Sequence, residues 1–452
     1  MVENFPFVAR ARITEVQERR FLAMLDLCFE RHPHYRRVFA KAGLRRGDFT
    51  SLADIVKLPL TSKRDLMADP EAFRLDTAGL ATEMQVTWDV MHTTGTSAGR
   101  PTPFYSTSYD FYGLLTANRR ALEIRGVRDG DLIANLCPMT LHPAGAYHRA
   151  VAAASAMKIP ILSLIPGRPS PHFHWGSGLD ESVAAIARAR ATILWGVASY
   201  VRRVVMRASE LGADLSAVRL VFMMGEPVTE AMRDDVVGRL ERLGAAAPRV
   251  SVSYAATEMQ VGTVECHPGA GYHNPAPEQF HFEVVDPATH RPLPDGERGL
   301  IVLTHLDRTG TVLLRYALGD LSAIARTPCP HCGATTDRFV ELPQRADDML
   351  KIRGMLVNPA LLLDTLAGDP DIREFQVVID HEAPDDPLSM DRLVLRLAVA
   401  ADVATLTARI AVRVRAAIGV RPEIEIVPAS ELYDEARAWK AQRVVDRRRN
   451  RD

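Results

Sequence analysis

The chain has 452 residues, 47% hydrophobic and 25% charged, longer than one hydrophobic core normally supports, so at least two domains are expected, one much larger than the other. Lys and Arg number 55 against 56 Asp and Glu, a net charge of -1, which excludes a global field for nucleic acid or an anionic membrane; any anion must be recognised locally. The N-terminal stretch has no apolar core of signal-peptide type, and no later stretch is long and uncharged enough to span a bilayer, so a cytoplasmic location is expected. Cys28, Cys137, Cys266, Cys329 and Cys332 are too few and too unevenly placed for a disulfide framework.

In chain order, residues 14–31 carry Phe21, Leu22, Leu25 and Phe29 at helical spacing. His32 and His34 read as surface residues, because nothing nearby has ligand spacing. Thr61 or Ser62 can cap a short helix. A strand over 84–91 precedes the run His92 to Thr102, HTTGTSAGRPT, where glycines allow close backbone approach and hydroxyls and amides can face phosphate oxygens. The segment after it has a helical period, so this run reads as an anion-binding loop at a helix entrance.

From 131 onward, strands over 131–137, 160–165, 192–196 and 218–224 alternate with helices over 144–157, 179–189 and 200–211. This alternation predicts an α/β fold with a mostly parallel, helix-covered sheet. After Ser251 the texture turns to strands and turns, with strands over 280–286, 299–304 and 312–316 forming a β-rich subdomain. A composition shift after Pro343 begins a small α+β domain, with strands near 375–379, 393–398 and 423–427 and a helix over 404–418.

Four later segments follow the glycine-rich run in an informative order: MMGEPVTEAMR, SYAATE, YALGDL, and QRADDMLKIRG with WKAQRVVDRR far downstream. Together they resemble the acyl- and aryl-adenylating superfamily, most closely its phenylacetate-CoA ligase branch, over nearly the whole chain. The resemblance implies a domain over 1–345 that binds ATP and the acid and a mobile domain over 346–452. It also implies a two-step reaction. A carboxylic acid, expected to be aromatic, attacks the α-phosphorus of ATP and releases pyrophosphate; an acceptor, often coenzyme A, then displaces AMP. Amines, carrier-protein thiols and other nucleophiles are the alternative acceptors, and a nucleotide-binding protein without turnover is the reading from a different class. A small-molecule acid is the partner expected, a homodimer is compatible with it, and nucleic acid and membrane are not expected.

The residue roles follow from the same resemblance. Thr93, Thr94, Gly95, Thr96, Ser97 and Arg100 would line the pyrophosphate path; Ala98 makes this loop one residue longer than the family's. Gly225, Glu226 and Pro227 would flank the adenine. Tyr254 belongs to the motif in which Thr257 contacts the α-phosphate and Glu258 holds Mg2+, a hard cation suited to carboxylate and phosphate oxygens; Ala255 replaces the family glycine. Asp320 would accept from the ribose hydroxyls, Arg345 would contact the nucleotide, and Asp347 would be the hinge. Gly354 would leave room for the acceptor. Lys440, preceded by Trp439 in place of a glycine, would bridge the attacking carboxylate and the α-phosphate. The acid pocket is expected along 136–148, with Ala144, Gly145 and Tyr147 at its wall and His142 and His148 as lining or core residues.

Cys329-Pro-His-Cys332-Gly places two thiolates at chelating separation on a turn, half of a zinc knuckle. The other half would be Cys266 with His273, or His267. Some members of the branch carry a structural zinc here, and four protein ligands would close the site, making it stabilising rather than catalytic.

Overall fold

The computed structural model describes residues 3–92, 101–139, 145–166, 177–345, 350–352, 355–357, 359–382, 390–400, 403–433 and 441–449. The chain divides into two compact units. One comprises Met1–Ile133, Met139–Ile161 and Ser251–Ala346, the other Ala134–Pro138, Leu162–Val250 and Asp347–Asp452.

The first unit opens with the helix Arg10–Arg31, whose buried face carries Ile13, Val16, Phe21, Met24, Leu25 and Cys28. It stops at His32 because Pro33 follows and disfavours helical geometry in the residue before it. His32 is fully buried, which corrects the surface reading. Its Nδ1 accepts from the Tyr35 amide at 3.2 Å and caps the helix Pro33–Ala42, while Nε2 lies 3.3 Å from the Val312 carbonyl.

The strands Thr87–His92 and Pro103–Thr107 pair antiparallel, with His92 opposite Pro103. Residues 93–100 between them lie outside the described residues. A helical period was expected from Ser106, but the aromatic and β-branched residues of Pro103–Thr107 take a strand with Phe104 buried. The helix Ser108–Ile124 starts only afterwards, where the Thr107 hydroxyl accepts from the Asp110 amide at 3.2 Å and Asp110 Oδ2 accepts from the Thr107 amide at 2.9 Å. The glycine-rich run therefore joins two strands, and its placement at a helix entrance is corrected.

An antiparallel sheet in the same unit has the order Phe280–Val285, Gly299–His305, Tyr316–Ser322, Gln344–Arg345. The third strand begins at Tyr316, where the sequence had suggested a strand ending there. Residues 312–315 spend their amides elsewhere: Val312 donates to the Phe73 carbonyl at 2.9 Å and Leu313 to the His305 ring at 3.1 Å. A further run of antiparallel pairs links Ile324–Ala325, Arg338–Phe339, Tyr272–His273, Thr263–Glu265 and the end of Arg249–Tyr254.

In the second unit, Leu220–Met224 and Ile193–Val197 pair parallel, and the order continues through Ile133–Leu136 to Ile161–Ser163. Ile193–Val197 is buried at every residue, as expected of a strand covered on both faces. The helices Leu179–Ala189 and Ala198–Leu211 alternate with these strands, as predicted, and the helix Glu230–Arg242, which the sequence reading did not include, continues the alternation. Beyond residue 346 the long antiparallel pair Ile372–His381 and Asp391–Val399 is flanked by Val444–Asp446 and Glu423–Ile426, both parallel to their neighbours. With the helices Pro359–Ala367 and Val403–Ile418, this is the α+β arrangement expected of the C-terminal segment.

Candidate active site

Two carboxylates predicted from separate motifs meet in the first unit, each held by a phenol. Tyr254 closes the strand Arg249–Tyr254, and its hydroxyl donates to Asp320 Oδ2 at 2.7 Å. Tyr316 opens the strand Tyr316–Ser322, and its hydroxyl donates to Glu258 Oε1 at 2.9 Å. Period-two alternation puts Tyr316, Leu318 and Asp320 on one buried face. Burial and then the adjacent carboxylate raise both phenols well above their ordinary pKa, so each stays a donor. Gly319, between the two functional positions, has φ +81, a conformation that glycine accepts without strain.

Arg345 is the register partner of Asp320 across the sheet. Its charge acts on both phenols, opposing their upward shift. Thr257, Glu258 and Met259 form a single 3-10 turn after Ala256. Ala255 is absent from the positive-φ residues among those described, so alanine fits there without backbone strain. Behind this turn, His305 is fully buried, with Nε2 2.9 Å from the Glu258 carbonyl and Nδ1 accepting from the Leu313 amide. Burial lowers the ring to about 3, so it is neutral, and the proton on Nε2 goes to the carbonyl of Glu258.

The functional contacts of Tyr316 and His305 were missed in the sequence reading. Tyr316 stood inside the quoted YALGDL; His305 ends a strand whose alternation alone marks only a core position. Arg149 was also missed. It lies on the helix Gly145–Met157 and donates to Gln260 Oε1 at 2.6 Å, one residue beyond the turn that carries Glu258. Burial lowers this guanidinium to about 10. Gly145 and Tyr147 begin the same helix; Tyr147 is half-buried and meets His148 edge to face.

The second unit holds Gly225, Glu226 and Pro227 directly after the strand Leu220–Met224. Glu226 accepts from the amide and hydroxyl of Ser199, at 3.0 and 2.9 Å, and from the amide of Ala441 at 2.7 Å. Thr93, Thr94, Gly95, Thr96, Ser97, Arg100, Ala144, Asp347, Gly354 and Lys440 lie outside the described residues.

A family model described as AMP-binding enzyme matches residues 171–306. A phenylacetate-coenzyme A ligase of Thermus thermophilus is 27% identical over 97% of this chain and 98% of its own length. The crystal structure of a 2-hydroxyisobutyryl-CoA ligase in a post-adenylation state, in complex with an acyl-AMP, is 25% identical, with a TM-score of 0.79 over 98% of this chain and 91% of that one. The same ligase in its thioesterification state, with coenzyme A, gives 0.65 at 26% identity. The chain is similar over nearly its whole length to members of the acyl- and aryl-adenylating superfamily. It is an adenylate-forming ligase of the phenylacetate-CoA ligase-like kind.

A second constellation in this adenylating enzyme lies in the first unit. One ligand atom from each of Cys266, His273, Cys329 and Cys332 falls within 4.8 Å of all the others. Cys266 Sγ is 3.7 Å from Cys329 Sγ, and Cys332 Sγ is 3.8 Å from His273 Nε2. Tetrahedral zinc with Zn–S bonds of about 2.3 Å would set sulfurs about 3.8 Å apart, so the donor set fits that ion. The hydrogen bond from Cys266, and then His273, hold the Cys332 thiol below its ordinary pKa. Of the two candidate histidines, His273 is the one that converges. His267 is exposed, has Nδ1 3.0 Å from the Pro268 carbonyl, and stacks on His331.

Proposed function

We propose that this ligase adenylates a carboxylic acid, with aromatic acids as the leading class, and passes the acyl group to coenzyme A. The observation that carries the reading is the pair of phenol-held carboxylates, Glu258 and Asp320, beside Arg345. Adenylation joins two anions, so it needs charge neutralisation and fixed geometry more than it needs a base. The acid carboxylate forms a new O–P bond to the α-phosphorus of ATP as the bond to pyrophosphate breaks. In the second step the coenzyme A sulfur attacks the acyl carbon, its proton is lost to solvent, and AMP leaves with the electron pair.

In this reading Glu258, with one oxygen engaged by Tyr316, offers the other to Mg2+. That ion would neutralise phosphate charge when bound. Asp320 accepts from the ribose hydroxyls, Thr257 donates to the α-phosphate, and Arg345 contacts the nucleotide. Thr93, Thr94, Gly95, Thr96, Ser97 and Arg100 line the path of pyrophosphate, and Gly225, Glu226 and Pro227 flank the adenine. Gly145, Tyr147 and Ala144 wall the acid pocket. Lys440 supplies the cation between carboxylate and α-phosphate, and residues 346–452 turn about Asp347 so that Gly354 admits the acceptor. Cys266, His273, Cys329 and Cys332 hold a structural zinc, closed to substrate because all four positions are protein ligands. Among the described residues, no helix is long and apolar enough to cross a membrane.

The test is ATP–pyrophosphate exchange over a panel of aromatic and short aliphatic acids, followed by acceptor assays. Exchange with at least one acid, and thioester formation with coenzyme A, are expected. AMP binding without exchange for any acid would overturn the adenylation reading; exchange with transfer only to amines would overturn the choice of acceptor.

A further inference from the structure

The turn that carries Thr257 and Glu258 ends on Gln260, whose backbone sits at φ +61 and ψ -25. Side chains other than those of Asn and Asp adopt this left-handed form only at a cost, so the surroundings have to hold it. Two donors of Gln260 converge on one atom. Its backbone amide reaches the Thr257 carbonyl at 3.2 Å, and its side-chain Nε2 reaches the same carbonyl at 2.5 Å. At the other end of the side chain, Oε1 accepts from Arg149 Nη2 at 2.6 Å and from the Ser106 hydroxyl at 3.4 Å. Ser106 is held in turn by Arg308, whose Nη2 donates to its oxygen at 2.7 Å. A guanidinium only donates and a carbonyl only accepts, so this orientation of the Gln260 amide is the one that satisfies both neighbours.

Arg149 is a costly residue to use for packing alone. Its other bond is to Met91 Sδ, at 3.3 Å, and among the described residues no carboxylate lies within ion-pairing distance of it. Asp89 attracts it and Arg308 repels it only through space. A half-buried guanidinium without an ion pair gives up hydration that little else returns, and the shortest bond this one makes is to Gln260. A charged donor polarises the amide it faces, which strengthens the bond that the amide gives from its far end. The cation on the helix Gly145–Met157 therefore acts, through Gln260, on the carbonyl of Thr257. The Thr257 hydroxyl has no partner among the described residues, so the turn leaves it available to a ligand. Arg149 and Tyr147 are two residues apart on the helix, about 200° around its axis, so Arg149 leaves the face opposite to the wall assigned to the acid.

We propose that Arg149 is a positioning residue for adenylation: by fixing Gln260 it holds the Thr257–Met259 turn in the form that presents Thr257 and Glu258 to the nucleotide. The role rests on the adenylation reading above. It separates Arg149 from a residue that only supports the fold, because its loss falls on the steps that use Thr257 and Glu258 and spares recognition of the acid.

Arg149→Ala is expected to slow ATP–pyrophosphate exchange about tenfold at saturating substrates and to raise the half-saturating Mg2+ concentration, with half-saturating acid within about twofold of the parent. Removing this side chain also enlarges a recess of about 240 Å³, counting its open mouth, that Trp88, Asp89, Phe111 and Gln260 help to line. Methylguanidinium at millimolar concentration is expected to enter it and to recover exchange by about threefold or more, whereas methylammonium is not. Gln260→Glu keeps the measurement interpretable if Arg149→Ala folds poorly. There Arg149 gains an ion pair while the Thr257 carbonyl loses its side-chain donor, so the melting temperature is expected to be no lower than the parent's and exchange to fall by about tenfold. Parent-like exchange in Gln260→Glu, or equal recovery by the two cations, would overturn the role. A crystal structure of Arg149→Ala with the Gln260 amide still on the Thr257 carbonyl would overturn it without any assay of turnover. Absence of exchange in the parent protein would instead overturn the adenylation reading, and the structure of the variant would still report on the contact itself.

Discussion

The carboxylate pair and the cysteine–histidine cluster share one unit, the first held by phenols that each reach across from the other carboxylate's segment and the second gathered by the pairing of Thr263–Glu265 with Tyr272–His273, and their surroundings are opposite. Glu258 and Asp320 each already receive a phenol proton, with a guanidinium nearby. Cys266, Cys329 and Cys332 pack among Ala121, Ile124, Val264, Ala270 and Ala334, and the strongest partners they have are one another and His273. A carboxylate satisfied on one oxygen can take and release a hard ion. Soft donors gathered in an apolar shell gain most from an ion that stays. The difference separates a site suited to turnover from one suited to holding the fold.

The largest effect expected bears on the second of these. Purified protein should contain one zinc per chain by elemental analysis, and Cys329→Ser should lose it together with about 4 kcal/mol of stability where free zinc stands about 1,000-fold above its dissociation constant. Metal-free protein whose melting temperature is unaltered by Cys329→Ser would break the contrast, leaving three reduced cysteines and a histidine in an apolar pocket.

On the carboxylate side, Glu258→Gln is expected to reduce pyrophosphate exchange by about 10²–10³-fold, the scale for removing one electrostatic partner of a transition state. Tyr316→Phe removes only the proton donated to Oε1, so about tenfold is expected, and the half-saturating Mg2+ concentration should shift in the same variant. Equal Mg2+ dependence in Tyr316→Phe and the parent would separate the phenol from the metal role of Glu258.

Much of this contrast was legible in the sequence, and the remainder was hidden for identifiable reasons. The α/β alternation and the separate α+β C-terminal segment follow from local periodicity, and the structure has both. Glu258, Asp320 and Arg345 were read from short motifs; strand pairing sets Arg345 opposite Asp320, and the phenols of Tyr254 and Tyr316 link that strand to the Glu258 segment. The strand Pro103–Thr107 was missed because five residues give too short a period to outweigh the helix that follows. The choice of His273 over His267 needed the pairing of Val264 with His273, a tertiary fact. So did the partners of Tyr316, His305 and Glu226, which lie 58, 47 and 215 residues away. A sequence motif marks which side chains carry chemistry, whereas the groups that orient them come from wherever the fold passes.

His305 offers the smallest of these effects and sharpens what supports Glu258. The folded ring is lowered to about 3 by burial, whereas an unfolded histidine titrates near about 6.5. As pH falls, the unfolded chain binds the proton first, so the contribution is fully present above about 6.5 and is lost as pH falls towards about 3. For one such group the loss at pH 5.5 is about 1.4 kcal/mol. His32 and His281 are also lowered by burial and add losses of the same sign, so a difference against a variant is needed. Gln at position 305 offers a carbonyl to the Leu313 amide and an amide N–H to the Glu258 carbonyl, without a titrating ring. Denaturant unfolding at pH 7.5 and 5.5 should therefore show His305→Gln losing about 1.4 kcal/mol less than the parent across that interval. An identical loss would mean that the parent ring is protonated in the folded state, and the turn bearing Glu258 would then be backed by a charge rather than by a neutral donor.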